Sequence, residues 1–166
     1  MSTESNLRTI NQLGDEFTTL YFAYGSNMLA SQMEERCPSA VPLGVVTLDD
    51  YAFIISGAGV ASVEPRGGSV TQGVLWAITE ACERTLDRKE GVKAGCYRRV
   101  FLPVTTADGE SKESLVYIDT RIGSAAARGG YMEKIVRGAI EFELDPEYIR
   151  DLTEWDPETK GLLPEA

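Results

Sequence analysis

The sequence pattern around one glutamate, Glu90, marks its carboxyl group as a candidate for proton transfer. The spacing of Cys82, Leu86 and Glu90 by four residues predicts a helix whose partly apolar stripe ends in this carboxyl group. Burial and the negative end of the helix dipole would both disfavour the carboxylate and raise its pKa. A glutamate tuned in this way acts as a general acid or base near neutral pH. The alternative is a Glu90 that frays outward beside Gly91, since most glutamates lie in solvent.

The chain has no histidine, which excludes Ser-His-Asp and Cys-His catalysis and any zinc site that contains histidine. Proton transfer near neutral pH therefore falls to a carboxyl, tyrosine, lysine or thiol group, or to the substrate itself. Three cysteines, Cys37, Cys82 and Cys96, lie far apart without a C-x-x-C motif, which argues against a metal site and suits a reducing compartment. Without a histidine base, Cys96 is better interpreted as a buried, inert thiol than as a nucleophile.

A second candidate is the turn Tyr24-Gly25-Ser26-Asn27, where a predicted strand passes into a predicted helix. Gly25 allows the backbone to turn or to approach a ligand closely, and Ser26 or Asn27 can cap the helix. The N–H groups of such a turn form a seat for an anion or a developing oxyanion. An ordinary strand-to-helix turn with a capping residue would explain the same pattern.

Tyrosine and arginine side chains supply weaker candidates. Tyr131 starts a predicted helix after a segment of small residues, so its hydroxyl group faces a cleft or packs on the core. Arg98 and Arg99 point to opposite faces of a predicted strand, so at most one of them faces a pocket. The G-x-G of Gly57 and Gly59 lacks the third glycine of a nucleotide-binding loop, and no G-K-[ST] occurs, which argues against a phosphate site.

The elements that must position these residues follow from the hydrophobic pattern. A chain of 166 residues that is 43% hydrophobic suits one domain with a real core. Strands are predicted at residues 19–23, 42–47, 51–56, 71–78, 97–105 and 115–119, with a further short strand at 61–63. Helices are predicted after the YGSN turn, from Thr79 to about Glu90, at 131–142, and after the N-cap Asp145. We therefore expect one α+β domain with six or seven strands and three or four short helices.

The net charge of -10 is unevenly distributed. Residues 140–166 carry nine acidic and two basic side chains, while residues 1–139 are nearly balanced. An acidic chain repels phosphate backbones, so no nucleic-acid partner is expected. The acidic C-terminal region is interpreted as a solvated face rather than a docking segment. The polar start of the chain and its strand-sized apolar runs predict no targeting segment and no membrane span, hence a cytoplasmic protein.

Six segments of the chain form an ordered set of motifs. They are LYFAYGSNM at residues 20–28, CPSA at 37–40, LDDYAF at 48–53, QGVLW at 72–76, LDRKEGVKAGCY at 86–97 and GGYMEKIVRGA at 129–139. The first closely resembles the opening signature of the gamma-glutamylcyclotransferase family, and the fifth is similar to its catalytic segment, L-D-x-x-E-G-V-x-x-G-x-Y. A lone YGSN is a weak signal, but the ordered set covers most of the domain and resembles that family throughout.

The resemblance implies a fold and a set of site residues. The fold is expected to be a small mixed-sheet barrel with peripheral helices at residues 19–145, between a polar lead at 1–18 and an acidic helix and tail at 146–166. The family's catalytic glutamate falls on Glu90, and its substrate-binding tyrosine falls on Tyr131. Its substrate-cradling segment falls on Tyr21, Phe22, Ala23, Tyr24, Gly25 and Ser26. No metal or cofactor is implied, and a homodimer is expected by analogy alone.

The resemblance also implies a reaction, in which the gamma-glutamyl part of a gamma-glutamyl amino acid or amine is cyclised to 5-oxoproline and the amine is released. The substrate carries its own nucleophile, so one tuned carboxyl group suffices to move the protons. Two alternatives stay open: a non-catalytic relative that binds a small carboxylate or amine in the same pocket, and a hydrolysis or transfer reaction on the same substrates. The loops at residues 56–68 and 120–128, which are individual to this chain, would shape the leaving-group side.

Overall fold

The strands close into a barrel in the computed structural model, which describes residues 13–164. The five strands are β1 (Phe17–Ala23), β2 (Val41–Ile55), β3 (Ala61–Thr79), β4 (Tyr97–Thr106) and β5 (Ser111–Asp119). They neighbour each other in the order β1-β3-β2-β4-β5, and a short parallel contact between Tyr21 of β1 and Leu115 of β5 closes the barrel. The predicted α+β barrel is confirmed. Residues 1–12 of the predicted lead and the last two residues of the predicted tail lie outside the described residues.

Four short α-helices surround the barrel in the part of the chain that the structure describes. They are α1 (Ala30–Arg36), α2 (Glu80–Lys89), α3 (Tyr131–Glu141) and α4 (Pro146–Thr153), and two 3-10 turns span Ser26–Met28 and Pro157–Leu162. Each α-helix lies where the sequence predicts one. Among these described helices, none has the length and apolarity needed to cross a membrane.

Residues 13–164 contain five strands, and the prediction of six or seven is wrong. The strands predicted at residues 42–47 and 51–56 are one strand, β2, and the short strand predicted at 61–63 is the start of β3. The chain bends at Asp50, which has a φ of 65°, and the register with β3 shifts there. The N–H group of Gly68 donates a hydrogen bond to the Asp50 carboxylate at 3.0 Å. Such a bulge bends a strand without ending its ladder, so a polar break in the sequence does not end the strand.

The helix N-termini follow the sequence signals in α2 and α4 but not in α1. Thr79 and Asp145 each accept a hydrogen bond from an N–H group in the first turn of their helix, as predicted. The prediction that Ser26 or Asn27 caps the first helix is wrong, because Leu29 is the N-cap of α1 and makes no side-chain hydrogen bond there. The second half of the YGSN segment lies in the 3-10 turn at Ser26–Met28, before α1, and its polar side chains are left for other contacts.

A disulfide joins two cysteines that lie far apart in the sequence. Cys37, directly after α1, is bonded to Cys82 in α2 with an S–S distance of 2.12 Å. The odd, sparse cysteine count does not predict this bond, because only the fold brings the two residues together across a sequence separation of 45 residues. The bond ties the end of α1 to the helix that leads to Glu90.

The predicted acidic tail is largely a folded part of the molecule. After α4 the chain forms the 3-10 turn at Pro157–Leu162, in which Thr159 is buried. Leu162 and Leu163 pack against the hydrophobic core. Acidic side chains can stay in solvent while the apolar residues between them pack, so the charge of this region does not predict an extended tail.

Helix α3 packs against the 3-10 turn that follows β1 through Gly138. A Cβ atom at this position would lie 2.7 Å from the backbone nitrogen of Leu29 and 2.8 Å from the Cβ atom of Met28. Contacts this close leave no room for a side chain, so Gly138 sets how near α3 approaches the segment that leads into α1.

We therefore expect Gly138→Ala to lower the free energy of unfolding by about 1–3 kcal/mol, because overpacking against backbone outweighs the gain in helix propensity. Denaturant-induced unfolding followed by circular dichroism is the measurement. Gly67→Ala is the matched control, since a Cβ atom there meets nothing within 4 Å. Equal unfolding free energies for Gly138→Ala and the wild type would contradict the close packing.

Candidate active site

A cavity of about 400 Å³ lies where the segment after β1, the end of α2 and the start of α3 meet. Its wall includes six of the eight predicted site residues, namely Tyr21, Tyr24, Gly25, Ser26, Glu90 and Tyr131. The fold thus brings together residues from three separate parts of the sequence. A concave site of this size suits a small ligand.

Phe22 and Ala23, also predicted to bind substrate, do not line the cavity. Phe22 is fully buried, and its ring lies beside Gly73 of β3. Ala23 is buried and pairs with Val74 in the ladder between β1 and β3. Alternation along the strand turns Phe22 away from the face that carries Tyr21. Both residues therefore belong to the hydrophobic core.

The carboxyl group of Glu90 is largely withdrawn from solvent. Glu90 is the C-cap of α2, and its side chain is 19% exposed. The predicted stripe that leads to it is present, since Cys82 and Leu86 are buried. Burial raises the pKa of Glu90, while the Arg36 guanidinium lowers it and the Asp119 carboxylate raises it, and the net shift is upward. This environment makes Glu90 a stronger base than a glutamate in solvent.

A hydrogen-bonded network holds Arg36 close to Glu90. The Arg36 Nη1 atom lies 4.0 Å from Glu90 Oε1 and donates a hydrogen bond to Asn27 Oδ1 at 2.9 Å. The Asn27 amide in turn donates to the Tyr21 hydroxyl at 2.9 Å. The Ser26 hydroxyl accepts a hydrogen bond from a glutamine of α1 at 2.5 Å. These contacts occupy the side chains of Ser26 and Asn27, which explains why neither caps α1.

Two tyrosine hydroxyl groups hold the backbone of Ala61 at the cavity wall. The Ala61 N–H group donates to the Tyr131 hydroxyl at 2.8 Å, and the Tyr97 hydroxyl donates to the Ala61 carbonyl at 2.7 Å. Burial raises the pKa of both tyrosines, as it does the pKa of Tyr21 and Tyr24. These hydroxyl groups therefore stay protonated near neutral pH and act as neutral hydrogen-bonding groups.

Neither Arg98 nor Arg99 reaches the cavity, which agrees with the prediction that at most one of them faces a pocket. Arg99 forms ion pairs with Glu83 and, at 2.7 Å, with Asp87 of α2. Asp87 also accepts a hydrogen bond from the Tyr117 hydroxyl at 2.7 Å. This set of contacts joins β4 and β5 to α2 and so fixes the helix that leads to Glu90.

Several cavity residues are not among the predicted site residues, among them Arg36, Arg121, Arg128 and Cys96, the last of which the sequence favours as an inert thiol. Arg36 directly precedes the CPSA segment, which is the one signal that marks its neighbourhood. Arg121 and Arg128 lie in a loop whose path no periodicity predicts. Cys96 is half-buried and lines the cavity, contrary to the expected buried thiol, because it lies in the turn before β4 rather than in the strand.

Gly25 and Ser26 line the cavity, and their backbone N–H groups have no backbone acceptor within residues 13–164. Two adjacent donors of this kind suit a carboxylate or an oxyanion. Across the same described residues, no group of three or more cysteine, aspartate or glutamate side chains is arranged to hold a metal ion.

Comparison with known proteins identifies relatives over most of the chain. A gamma-glutamylcyclotransferase from Mus musculus is 33% identical over 157 aligned residues, which cover 88% of this chain and 84% of the relative. The chain belongs to the gamma-glutamylcyclotransferase family. A gamma-glutamylcyclotransferase from Bos taurus is 32% identical over 166 aligned residues, covering 93% of this chain and 87% of that protein.

Other comparisons agree with membership of the gamma-glutamylcyclotransferase family. A solved structure of a gamma-glutamyl cyclotransferase superposes with a TM-score of 0.78 and 28% identity, covering 86% of this chain and 98% of that one. The structure of YkqA from Bacillus subtilis gives a TM-score of 0.71 and 26% identity over 95% of this chain and 58% of that one. The AIG2-like family model matches residues 71–152, a range that contains Glu90 and Tyr131.

The buried carboxyl group of Glu90 is expected to lower the stability of the fold near neutral pH. Because its pKa is raised in the folded state, the unfolding free energy falls as the pH rises from the unfolded pKa, about 4.3, through the folded pKa. Glu90→Gln removes this titration. The variant should therefore be more stable than the wild type near pH 7, by a margin that shrinks below about pH 4.

Chemical unfolding of both proteins across this pH range measures the difference. Glu113→Gln is the matched control, because Glu113 is exposed on β5 and its loss removes a carboxyl group that stays in water. A Glu90→Gln variant that is less stable than the wild type near neutral pH would contradict the prediction, because it would show that the ionised Glu90 side chain does not lower the unfolding free energy.

Proposed function

We propose that this protein cyclises the gamma-glutamyl group of a gamma-glutamyl amino acid or gamma-glutamyl amine. The alpha-amino nitrogen of the substrate attacks its own gamma-carbonyl carbon, the bond from that carbon to the departing nitrogen breaks, and the products are 5-oxoproline and a free amine. Beside family membership, the observation that carries the proposal is the buried Glu90 carboxyl group on a cavity sized for a small ligand. The cytoplasmic location, the homodimer and the lack of a nucleic-acid partner stay predictions from the sequence.

The attacking nitrogen loses two protons as the ammonium group becomes the ring N–H, and we assign the transfer of the first to Glu90. As a carboxylate it takes that proton from the substrate ammonium group, and as a carboxylic acid it delivers it to the departing nitrogen. The second proton leaves the ring nitrogen after closure and is taken up by the released amine. A carboxylate with a pKa of about 4.3 is a weak base for an ammonium group with a pKa of about 8. The raised pKa of Glu90 reduces the difference between its pKa and that of the ammonium group, which makes the proton transfer more favourable.

The remaining cavity residues would hold the substrate in the folded conformer that precedes ring closure. Such positioning can supply about 7–11 kcal/mol of the barrier reduction in an intramolecular reaction. The N–H groups of Gly25 and Ser26 would bind the glutamyl carboxylate or the tetrahedral oxyanion, and one donor of this kind contributes about 3–4 kcal/mol. Tyr21 and Tyr131 would add neutral hydrogen-bonding hydroxyl groups beside them.

The direct test is the product formed from a panel of gamma-glutamyl amino acids and amines. The wild type should release 5-oxoproline from at least one member, and Glu90→Gln should lose about 100- to 10,000-fold in turnover because an amide cannot accept the proton. Glu113→Gln, which changes an exposed carboxyl group of β5, should keep wild-type turnover.

Each failure of this test has its own meaning. Near wild-type turnover by Glu90→Gln would overturn the role of Glu90. Free glutamate in place of 5-oxoproline would indicate hydrolysis. Ligand-induced stabilisation without any product would indicate a non-catalytic binding protein.

The charge of Arg36 should set the acid limb of the pH profile of kcat/KM. The reaction begins with Glu90 as a carboxylate, so the limb follows its pKa, and the guanidinium of Arg36 lowers that pKa. Arg36→Gln removes the charge, which raises the pKa and moves the limb to higher pH. Arg84→Gln is the control, because Arg84 lies exposed on α2 and pairs with Glu80. An acid limb that is unchanged in Arg36→Gln would contradict this assignment.

A further inference from the structure

The side chains of the cavity that are charged near neutral pH are mostly cationic, although the chain as a whole carries a net charge of -10. Arg36, Lys89, Arg121 and Arg128 all line it, against the single carboxyl group of Glu90. A cationic cavity in an anionic protein favours a ligand with more than one negative charge. These four cations differ in whether a protein carboxylate already pairs with them.

Two of the arginines are engaged by protein groups. Arg36 faces Glu90, and Arg121 binds both carboxylate oxygens of Asp119 at 2.8 and 3.0 Å. By contrast, no carboxylate within residues 13–164 forms an ion pair with Arg128. Lys89 and Arg128 are both exposed, and they differ in that Lys89 carries a point charge on a flexible stem, whereas the guanidinium of Arg128 presents its donors in a fixed fork. Arg128 is therefore the cavity arginine whose charge is left for a ligand.

The position of Arg128 is fixed by the turn between β2 and β3. Its backbone N–H group donates to the Gly59 carbonyl at 3.2 Å, and its Nε atom donates to the Ala58 carbonyl at 3.1 Å. A Cβ atom at Gly59 would lie 3.1 Å from Arg128 Cγ, so the arginine stem packs on a residue that has no side chain. These bonds use Nε and leave both terminal amino groups of the guanidinium for a ligand. A group held in this way loses little entropy when it binds.

The cavity thus offers anion-binding groups on two different segments. One is the pair of N–H groups of Gly25 and Ser26, after β1, and the other is Arg128, in the loop before α3. A gamma-glutamyl amino acid carries one carboxylate on each side of the amide bond that breaks, whereas a simple gamma-glutamyl amine carries only the glutamyl carboxylate. When the glutamyl carboxylate lies on the N–H groups of Gly25 and Ser26, Arg128 is left for a second carboxylate, which only the first kind of substrate carries.

We propose that Arg128 binds a carboxylate group on the departing amine and so makes this protein selective for gamma-glutamyl amino acids over gamma-glutamyl amines. The inference rests on the proposed function. Two parallel hydrogen bonds from the terminal amino groups to the carboxylate would be charge-assisted and directional. Arg128 takes no part in proton transfer and acts as a specificity-determining residue.

The test compares gamma-glutamyl-alanine with gamma-glutamyl-alaninamide, which differ only in replacing the departing carboxylate by a neutral amide. The wild type should prefer gamma-glutamyl-alanine. Arg128→Gln should lower kcat/KM for gamma-glutamyl-alanine by about 10- to 100-fold, mostly through KM, and change that for the alaninamide by less than about 3-fold. Arg128→Lys keeps the charge and should retain part of the preference. Arg98→Gln, which removes an exposed arginine outside the cavity, should behave as the wild type.

Three outcomes would overturn the role of Arg128. Equal losses on both substrates would show that Arg128 supports the fold or the glutamyl end, and no loss on either would show that it binds neither. A wild type that uses both substrates equally well would overturn the proposal even if the variants fail to fold. A wild type that releases 5-oxoproline from neither substrate is a different result, since it would overturn the proposed function itself.

Discussion

The burial of the Glu90 carboxyl group is the constraint on which the rest of the site depends. A carboxyl group left in water is too weak a base for an ammonium group, while one buried without compensation is held neutral. In this structure one guanidinium, that of Arg36, partly compensates the buried carboxyl group, with its Nη1 atom 4.0 Å from Glu90 Oε1. A tight, direct ion pair would hold the carboxylate ionised at lower pH and cancel the effect of burial. The disulfide helps to fix the distance between Arg36 and Glu90, because Cys37 directly follows Arg36 and is bonded to the helix that leads to Glu90.

The barrel and the loops contribute different kinds of side chain to the site. Residues close to the barrel strands, such as Tyr21, Tyr97 and Tyr131, contribute hydroxyl groups whose raised pKa keeps them neutral. The loop that follows β5 contributes Arg121 and Arg128, which line the cavity from a segment without regular structure. A rigid scaffold that holds the reacting end of a ligand, with variable loops at the other end, allows substrate choice to change without moving the proton-transfer group.

Local signals predict much of this arrangement, and long-range contacts account for what they miss. Thr79, the apolar stripe and Glu90 can be assigned from the sequence because they belong to one helix with its own cap. The bulge at Asp50 is not predictable in the same way, since a polar pair in a continuous strand looks like a turn. The pairing of Cys37 with Cys82 and the approach of Arg36 to Glu90 depend on how two helices pack. Six of the eight residues assigned to the site line one cavity. Phe22 does not, because alternation along the strand turns it away from the face that carries Tyr21, and Ala23 does not, because it is buried in the core.

Closure of the barrel has a consequence for how the protein folds. The β2–β3 and β4–β5 hairpins join neighbouring strands, whereas the hydrogen bond from Tyr24 to the Tyr117 carbonyl spans 93 residues and the one from Ala61 to Tyr131 spans 70. Contacts between distant segments form slowly, because the entropy of a long loop must be lost before the contact stabilises anything. We expect the hairpins to form first and the cavity to be completed last. During refolding, the ability to bind a ligand would therefore return later than the β-sheet signal. A chain released after Asp119 but before Tyr131 is made would contain both hairpins of the barrel but no complete cavity.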